Sequence, residues 1–176
     1  MEKGIQLMRL VEEHTIAFKE EMQEAFLRGF QAYNKDDSED SNQWQVLPDE
    51  DFYQSLRAEG AEAYEAVDAD GQRVGGAIIT IDSLAHDGAL AFLYVKVGVQ
   101  SKGIGQAIWK AIEAMHPEVE VWETCTPYFD RRNIHFYINR CGFHAVEFFN
   151  EHHPDPHMPE QFNEEDGLFK FEKRMK

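Results

Sequence analysis

From Ala89 to Val97 every position but Lys96 is apolar, so neither face of this stretch suits water. It predicts a strand in the middle of a sheet that is covered on both sides. A glycine-bearing loop follows at Gly98 to Gly105. Ile104, Ile108, Ala111, Ile112 and Met115 then mark one face of a helix. A buried strand turning through glycines into a helix predicts a layered α/β architecture.

The rest of the chain fits around that core. Ile5 to Val11 predicts a first strand, and Thr15 to Phe30 an amphipathic helix. Asn34 to Asp51 carries seven acids and one lysine, which predicts a solvated loop with Pro48 near its end. Asp49-Glu50-Asp51 supplies an acidic first turn for a short helix through Arg57. Strands are expected at Ala63 to Val67 and Val74 to Asp82, joined by the hairpin signal Asp68-Ala69-Asp70-Gly71. A strand at Glu118 to Thr124 and a helix at Asp130 to Cys141, stopped by Gly142, come next. Strands at Ala145 to Phe149 and Leu168 to Arg174 flank a long loop, Asn150 to Gly167, with three of the six prolines. The expectation is one domain over 1–176, with a mixed central sheet of about six or seven strands and about four helices.

Charge narrows the partners. The formal net charge is −16. That argues against nucleic acid, which needs clustered Lys and Arg, and against an anionic membrane surface. No run of about 18 apolar residues is present, so no membrane-spanning helix is expected. Cys125 and Cys141 are too few for a disulfide framework, which points to a cytoplasmic setting. The charge is also uneven. From Leu90 to Gly142 it is +1, so the remainder carries −17. A cationic partner would be drawn to the acidic part, and the near-neutral segment leaves room for an anion.

Gln100-Ser101-Lys102-Gly103-Ile104-Gly105 lies within that segment. Glycines let successive backbone N–H groups point into one concavity, and the helix N-terminus adds partial positive charge. Together they suit a pyrophosphate. The loop is not a P-loop, and Ile108 stands where a dinucleotide fingerprint needs a third small residue. The same glycines also suit a simple strand-to-helix turn.

The stretch Leu93 to Gly105 resembles the acetyl-CoA motif of the GNAT N-acetyltransferase superfamily. Asn133-Ile134-His135-Phe136-Tyr137-Ile138-Asn139-Arg140-Cys141-Gly142-Phe143 resembles its second motif, an Asn-led helix ending in Gly-Phe. The resemblance implies acetyl-CoA as cosubstrate and a primary amine as acceptor, attacking directly in a ternary complex. It implies that backbone groups of Tyr94, Val95 and Val97 hold the pantetheine arm. Amides from Gln100, Ser101, Lys102, Gly103, Ile104 and Gly105 would hold the pyrophosphate, with Asn133 also on the cofactor side. Three departures from the family pattern stand out. Val97 replaces a frequent proline, and Asn133 lies deeper in its helix than usual. The usual tyrosine position, four residues before the Gly-Phe glycine, is Ile138, with Tyr137 one earlier.

Aminolysis of a thioester needs a base for the ammonium and an acid for the thiolate. Tyr137 is the candidate acid, with Tyr94 and Tyr128 behind it. Glu123 is the candidate base, with Glu120 and Glu147 as alternatives. Tyr137 also suits core packing, and Glu123 an outward strand position. His152, His153 and His157 lack strict zinc spacing, so no metal is expected. Cys125 has no basic partner nearby in sequence, and no nucleophile is needed. The acids of Asn34 to Asp51 predict a cationic acceptor: a polyamine, amino sugar or basic peptide. A homodimer is compatible with all of this. Two other expectations remain open: a non-catalytic CoA-binding module on the same fold, and an acidic protein-interaction domain.

Overall fold

The computed structural model describes residues 4–33, 47–99, 103–127, 131–150, 152–153 and 167–175. Its elements run in the expected order. They are β1 (Gln6–Arg9), α1 (Thr15–Tyr33), α2 (Asp49–Arg57), β2 (Ala61–Val67), β3 (Arg73–Asp82) and β4 (Asp87–Val95), then α3 (Ile104–Met115), β5 (Val121–Pro127), α4 (Arg131–His135), β6 (His144–Phe149) and β7 (Leu168–Arg174). The seven strands form one sheet in the order β1-β2-β3-β4-β5-β7-β6. Only β4 and β5 pair in parallel, across the α3 crossover. Among the described residues no helix is long and apolar enough to cross a membrane.

Local chemistry fixes the first half. The β2–β3 hairpin closes where Asp68 Oδ1 accepts the N–H groups of Asp70 and Gln72, each at 2.9 Å. Gly71, at φ +80°, supplies the left-handed residue that turn needs. The core is two clusters on opposite faces of the sheet. Phe18, Met22, Phe52, Ile78 and Tyr94 lie under α1 and α2. Ile108, Trp109, Ile112, Trp122, Phe143 and Phe171 lie under α3 and the α4 segment. The edge of Phe18 meets Tyr94 at a 5.4 Å centroid separation. Gly76 lets it approach, since a Cβ there would stand 2.3 Å from the Phe18 ring.

Of the expectations that shift, three bear on the site. The central strand ends at Val95, two residues early, because the chain turns at Lys96, whose carbonyl accepts the N–H of Val99, and at Gly98, with φ +91°. Val97 is therefore in a turn, 39% exposed. The expected strand from Glu118 begins at Val121, because Val119 is tied into a turn on His116. The helix expected through Cys141 is α-helical only over Arg131–His135. It continues as a π turn, Phe136–Arg140, where Cys141 N–H donates to the Phe136 carbonyl at 3.0 Å.

Candidate active site at the parting of two strands

β4 and β5 run side by side for only three residues, and Ala89↔Glu123 is their last pair. The cause lies in β4. Between Leu90 and Phe92 the β3 register skips Ala91, a bulge that bends the strand away from its neighbour. Just before it, the Leu90 carbonyl accepts the Thr124 hydroxyl at 2.9 Å. The two strands thus open a seam in the middle of the sheet. The β4 edge from Ala91 onward has no strand partner there among the described residues. An extended, amide-bearing arm fits such an edge.

β4 leads toward α3. Gly103, its N-cap, sits at φ 88° and ψ 5°, a left-handed conformation with no side-chain cap on the first N–H groups of the helix. Those groups and the helix dipole are what an anion requires. Gly105 lets this end of α3 pack closely. A Cβ there would stand 3.1 Å from the Phe136 ring and 3.5 Å from Val95 Cγ2. Gln100, Ser101 and Lys102 lie outside the described residues, as do Tyr128, His157 and the acidic positions Asp36, Asp37, Glu39 and Asp40. Asp49, Glu50 and Asp51 occupy the first turn of α2. Asp49 binds Lys19 at 3.2 Å.

The remaining candidates divide between the two faces of the sheet. Tyr94 contributes its backbone to β4, and its side chain is buried beneath α1, where its hydroxyl donates to Glu21 at 3.4 Å. Burial and the Glu21 charge push that hydroxyl far above its usual range. Asn133 is half-buried, three residues into the α4 segment. Tyr137 lies on the α3 face, 6% exposed, with its ring against Phe136, Phe143 and Phe171. The π turn bears on its one-residue offset. An extra residue between Tyr137 and Gly142 absorbs the rotation that the offset would cause in a regular helix.

Glu123 lies on the other face, with Cys125, Lys170, Glu172 and Glu147 in neighbouring register positions. Lys170 Nζ stands 3.2 Å from Glu123 and 3.9 Å from Glu172. Burial alone lowers the Lys170 pKa, but the bond to Glu123 and the surrounding negative groups outweigh it, and the net shift is upward. Lys170 was not legible as a site residue, because its partnership depends on the β5–β7 register across 47 positions of chain. The same pairing gives Cys125 the basic neighbour that its flanking sequence lacks. The alternative bases are placed differently: Glu147 is held by His153 at 2.8 Å, and Glu120 precedes β5. His153 also stacks on Phe149. Among the described residues no group of three or more His, Cys, Asp or Glu is arranged to hold a metal ion.

Away from the seam, a cavity of about 650 Å³ opens beside β1, β2 and β3, lined by Met8, His14, Glu65, Arg73, Gln72 and Lys96 among others. Glu65, Arg73 and His14 are tied to one another there. Arg73 binds both Glu21 and Glu65, and His14 Nδ1 contacts Glu65 at 3.0 Å.

Known proteins resemble this chain in sequence or in fold. The chain is similar over 167 residues, at 42% identity, to the uncharacterized protein YrkN of Bacillus subtilis (strain 168), covering 90% of this chain and 87% of that one. Its fold matches spermidine N-acetyltransferase from Vibrio cholerae, solved with CoA and spermine, at TM-score 0.65 and 11% identity over 97% and 95% of the two chains. It also matches the PaiA N-acetyltransferase from Thermoplasma acidophilum, solved with coenzyme A, at TM-score 0.63 and 18% identity over 97% and 98%. The sequence profile of the acetyltransferase (GNAT) family covers residues 9–143, three quarters of the chain, and the chain belongs to that family.

Proposed function

We propose that the protein moves an acetyl group from acetyl-CoA to a primary amine by direct attack in a ternary complex. The observation that carries this reading is the seam: β4 parts from β5 after Ala89 and leads to a helix whose N-cap is a left-handed glycine. Acetyl-CoA supplies an acyl group activated as a thioester. The backbone of Tyr94 and Val95 on the open edge, with Val97 in the following turn, holds the pantetheine arm. Amides of Gln100, Ser101, Lys102, Gly103, Ile104 and Gly105 hold the pyrophosphate. Asn133 supports the cofactor side from α4.

Glu123, on the opposite face, takes the proton of the acceptor ammonium, directly or through water. Tyr137 protonates the departing thiolate. A base and an acid on the two sides of a seam suit a reaction in which the amine arrives from one face and the thiol leaves by the other. The acceptor is a cationic amine. Seven carboxylates between Asp36 and Asp51 support this, as does the likeness to a fold crystallised with spermine.

The test is thiol release from acetyl-CoA over a panel of cationic and neutral amines across a salt series. Cationic acceptors should turn over best and lose kcat/KM as salt rises, since exposed charges are screened over about 10 Å at 0.1 M. Tyr137→Phe should lower kcat about 10²-fold at unchanged acetyl-CoA affinity. The burial of Tyr137 favours one competing reading, a non-catalytic CoA-binding module. Acetyl-CoA binding without turnover of any amine would establish it.

A further inference from the structure

A primary amine reaches the carboxylate at the seam from the far side of β5. Lys170 Nζ lies 3.2 Å from the carboxylate of Glu123, and Glu123 belongs to the last β4–β5 pair before the strands separate. No other lysine among the described residues pairs with a carboxylate of that strand pair. Lys19 binds Asp49 on α2, and Lys173 binds Glu113 on α3. The Lys170 side chain is 28% exposed, and its neighbour across β5, Cys125, is exposed as well, so the amine is reachable from the side opposite α3 and Tyr137. An ammonium hydrogen-bonded to a carboxylate at the seam has the placement that the proposed reaction asks of an external acceptor.

We propose that Lys170 is a self-acetylation site, modified by the acyl thioester bound at the protein's own seam. This rests on the acetyltransferase reading above. Glu123 removes one proton from the Lys170 ammonium, leaving a neutral amine. The amine nitrogen forms a bond to the thioester carbonyl carbon, and the carbon–sulfur bond breaks. The second proton lost by nitrogen goes to the departing sulfur, so the products are N-acetyl-lysine, free CoA thiol and the proton on Glu123, which passes to water. Holding the amine at the reacting centre replaces a bimolecular encounter, and this favours Lys170 over lysines elsewhere. Acetylation also removes the positive charge from Glu123, and the carboxylate becomes available to an external ammonium.

The experiment incubates the full-length protein with acetyl-CoA and no acceptor, then follows the mass of one added acetyl group and its position by peptide mapping. Lys170 should be labelled at least about tenfold faster than Lys19 and Lys173, which sit in comparable ion pairs away from the seam. The preference should vanish in urea. Glu123→Gln should slow Lys170 labelling by about tenfold or more, whereas Glu172→Gln, which removes the more distant carboxylate, should not. Labelling should speed up as pH rises, because deprotonated amine becomes more abundant. Lys170 labelled no faster than Lys19 and Lys173, or labelled at an undiminished rate in folded Glu123→Gln protein, overturns the proposal. Calorimetric titration with acetyl-CoA and the amine panel, run on Lys170→Arg, separate the two readings. Binding and turnover without Lys170 labelling in the wild type sink self-acetylation alone, and absence of acetyl-CoA binding sinks both.

Discussion

The two halves of the sheet are built differently. From β1 to β4 every neighbour pair is antiparallel and consecutive in sequence, and both faces are covered, by α1 and α2 on one side and α3 on the other. From β5 to β6 the order crosses over, one face is packed on Tyr137, Phe143 and Phe171, and the opposite face displays Glu123, Cys125, Glu147 and Lys170. Apart from the exposed β1 and the Arg73–Glu21–Glu65 cluster, the first half is a platform of buried residues. The second carries polar groups that no core packing requires. The candidate chemistry gathers where the halves meet, because only there does the sheet open.

If that contrast holds, substitutions in the first half act on stability and those at the seam act on chemistry. The largest stability effect is expected at Phe18, fully buried and wedged between Gly76, Tyr94 and Phe52. Phe18→Ala should cost about 3–5 kcal/mol in chemical denaturation. A loss below about 1 kcal/mol would break the comparison at its strongest point.

Arg73→Met comes next. Arg73 binds Glu21 and Glu65, and its Nε donates to Glu21 at 2.8 Å. The bond to Glu21 outweighs the burial that opposes its charge and holds the guanidinium protonated at all working pH values. Removing the guanidinium leaves two poorly exposed carboxylates with only His14 and the Tyr94 hydroxyl beside them, at a cost of about 3 kcal/mol. The same denaturation series at pH 7 checks the loss.

The smallest effect sharpens the contrast within the second half. Cys141 is on the covered face, and burial pushes its thiol up to about 12, so it stays protonated and shielded at pH 8. Cys125 is exposed on the open face. Iodoacetamide at pH 8 should modify Cys125 and spare Cys141 until the protein is unfolded. Equal labelling in the folded protein would mean that the two faces do not differ in cover.

Much of this was legible in the sequence, for physical reasons that vary by element. The hairpin at Asp68–Gly71 and helix α2 depend on neighbours within a few residues, and they fall at or within two residues of the expected positions. The buried central strand announced itself by being apolar on both faces. Its end did not, because Val97 continues the apolar run while the chain turns at Lys96 and Gly98. The π turn at Phe136–Arg140 has no compositional signature, so the sequence predicts a regular helix through Cys141. The bulge at Ala91 and the Lys170–Glu123 pair depend on register between distant strands, which local patterning does not encode.

The central claim is that an anionic cosubstrate seats at the glycine N-cap of α3. Calorimetric titration with acetyl-CoA tests it most directly, on wild type, Gly103→Glu and Gly103→Asn. Gly103 has φ 88°, so any side chain there is strained, and asparagine, which tolerates that region best, controls for the strain. The wild type should bind, Gly103→Asn should retain measurable binding, and Gly103→Glu, folded by circular dichroism, should lose it through the carboxylate placed in the phosphate concavity. Undiminished acetyl-CoA affinity in folded Gly103→Glu protein would contradict the account.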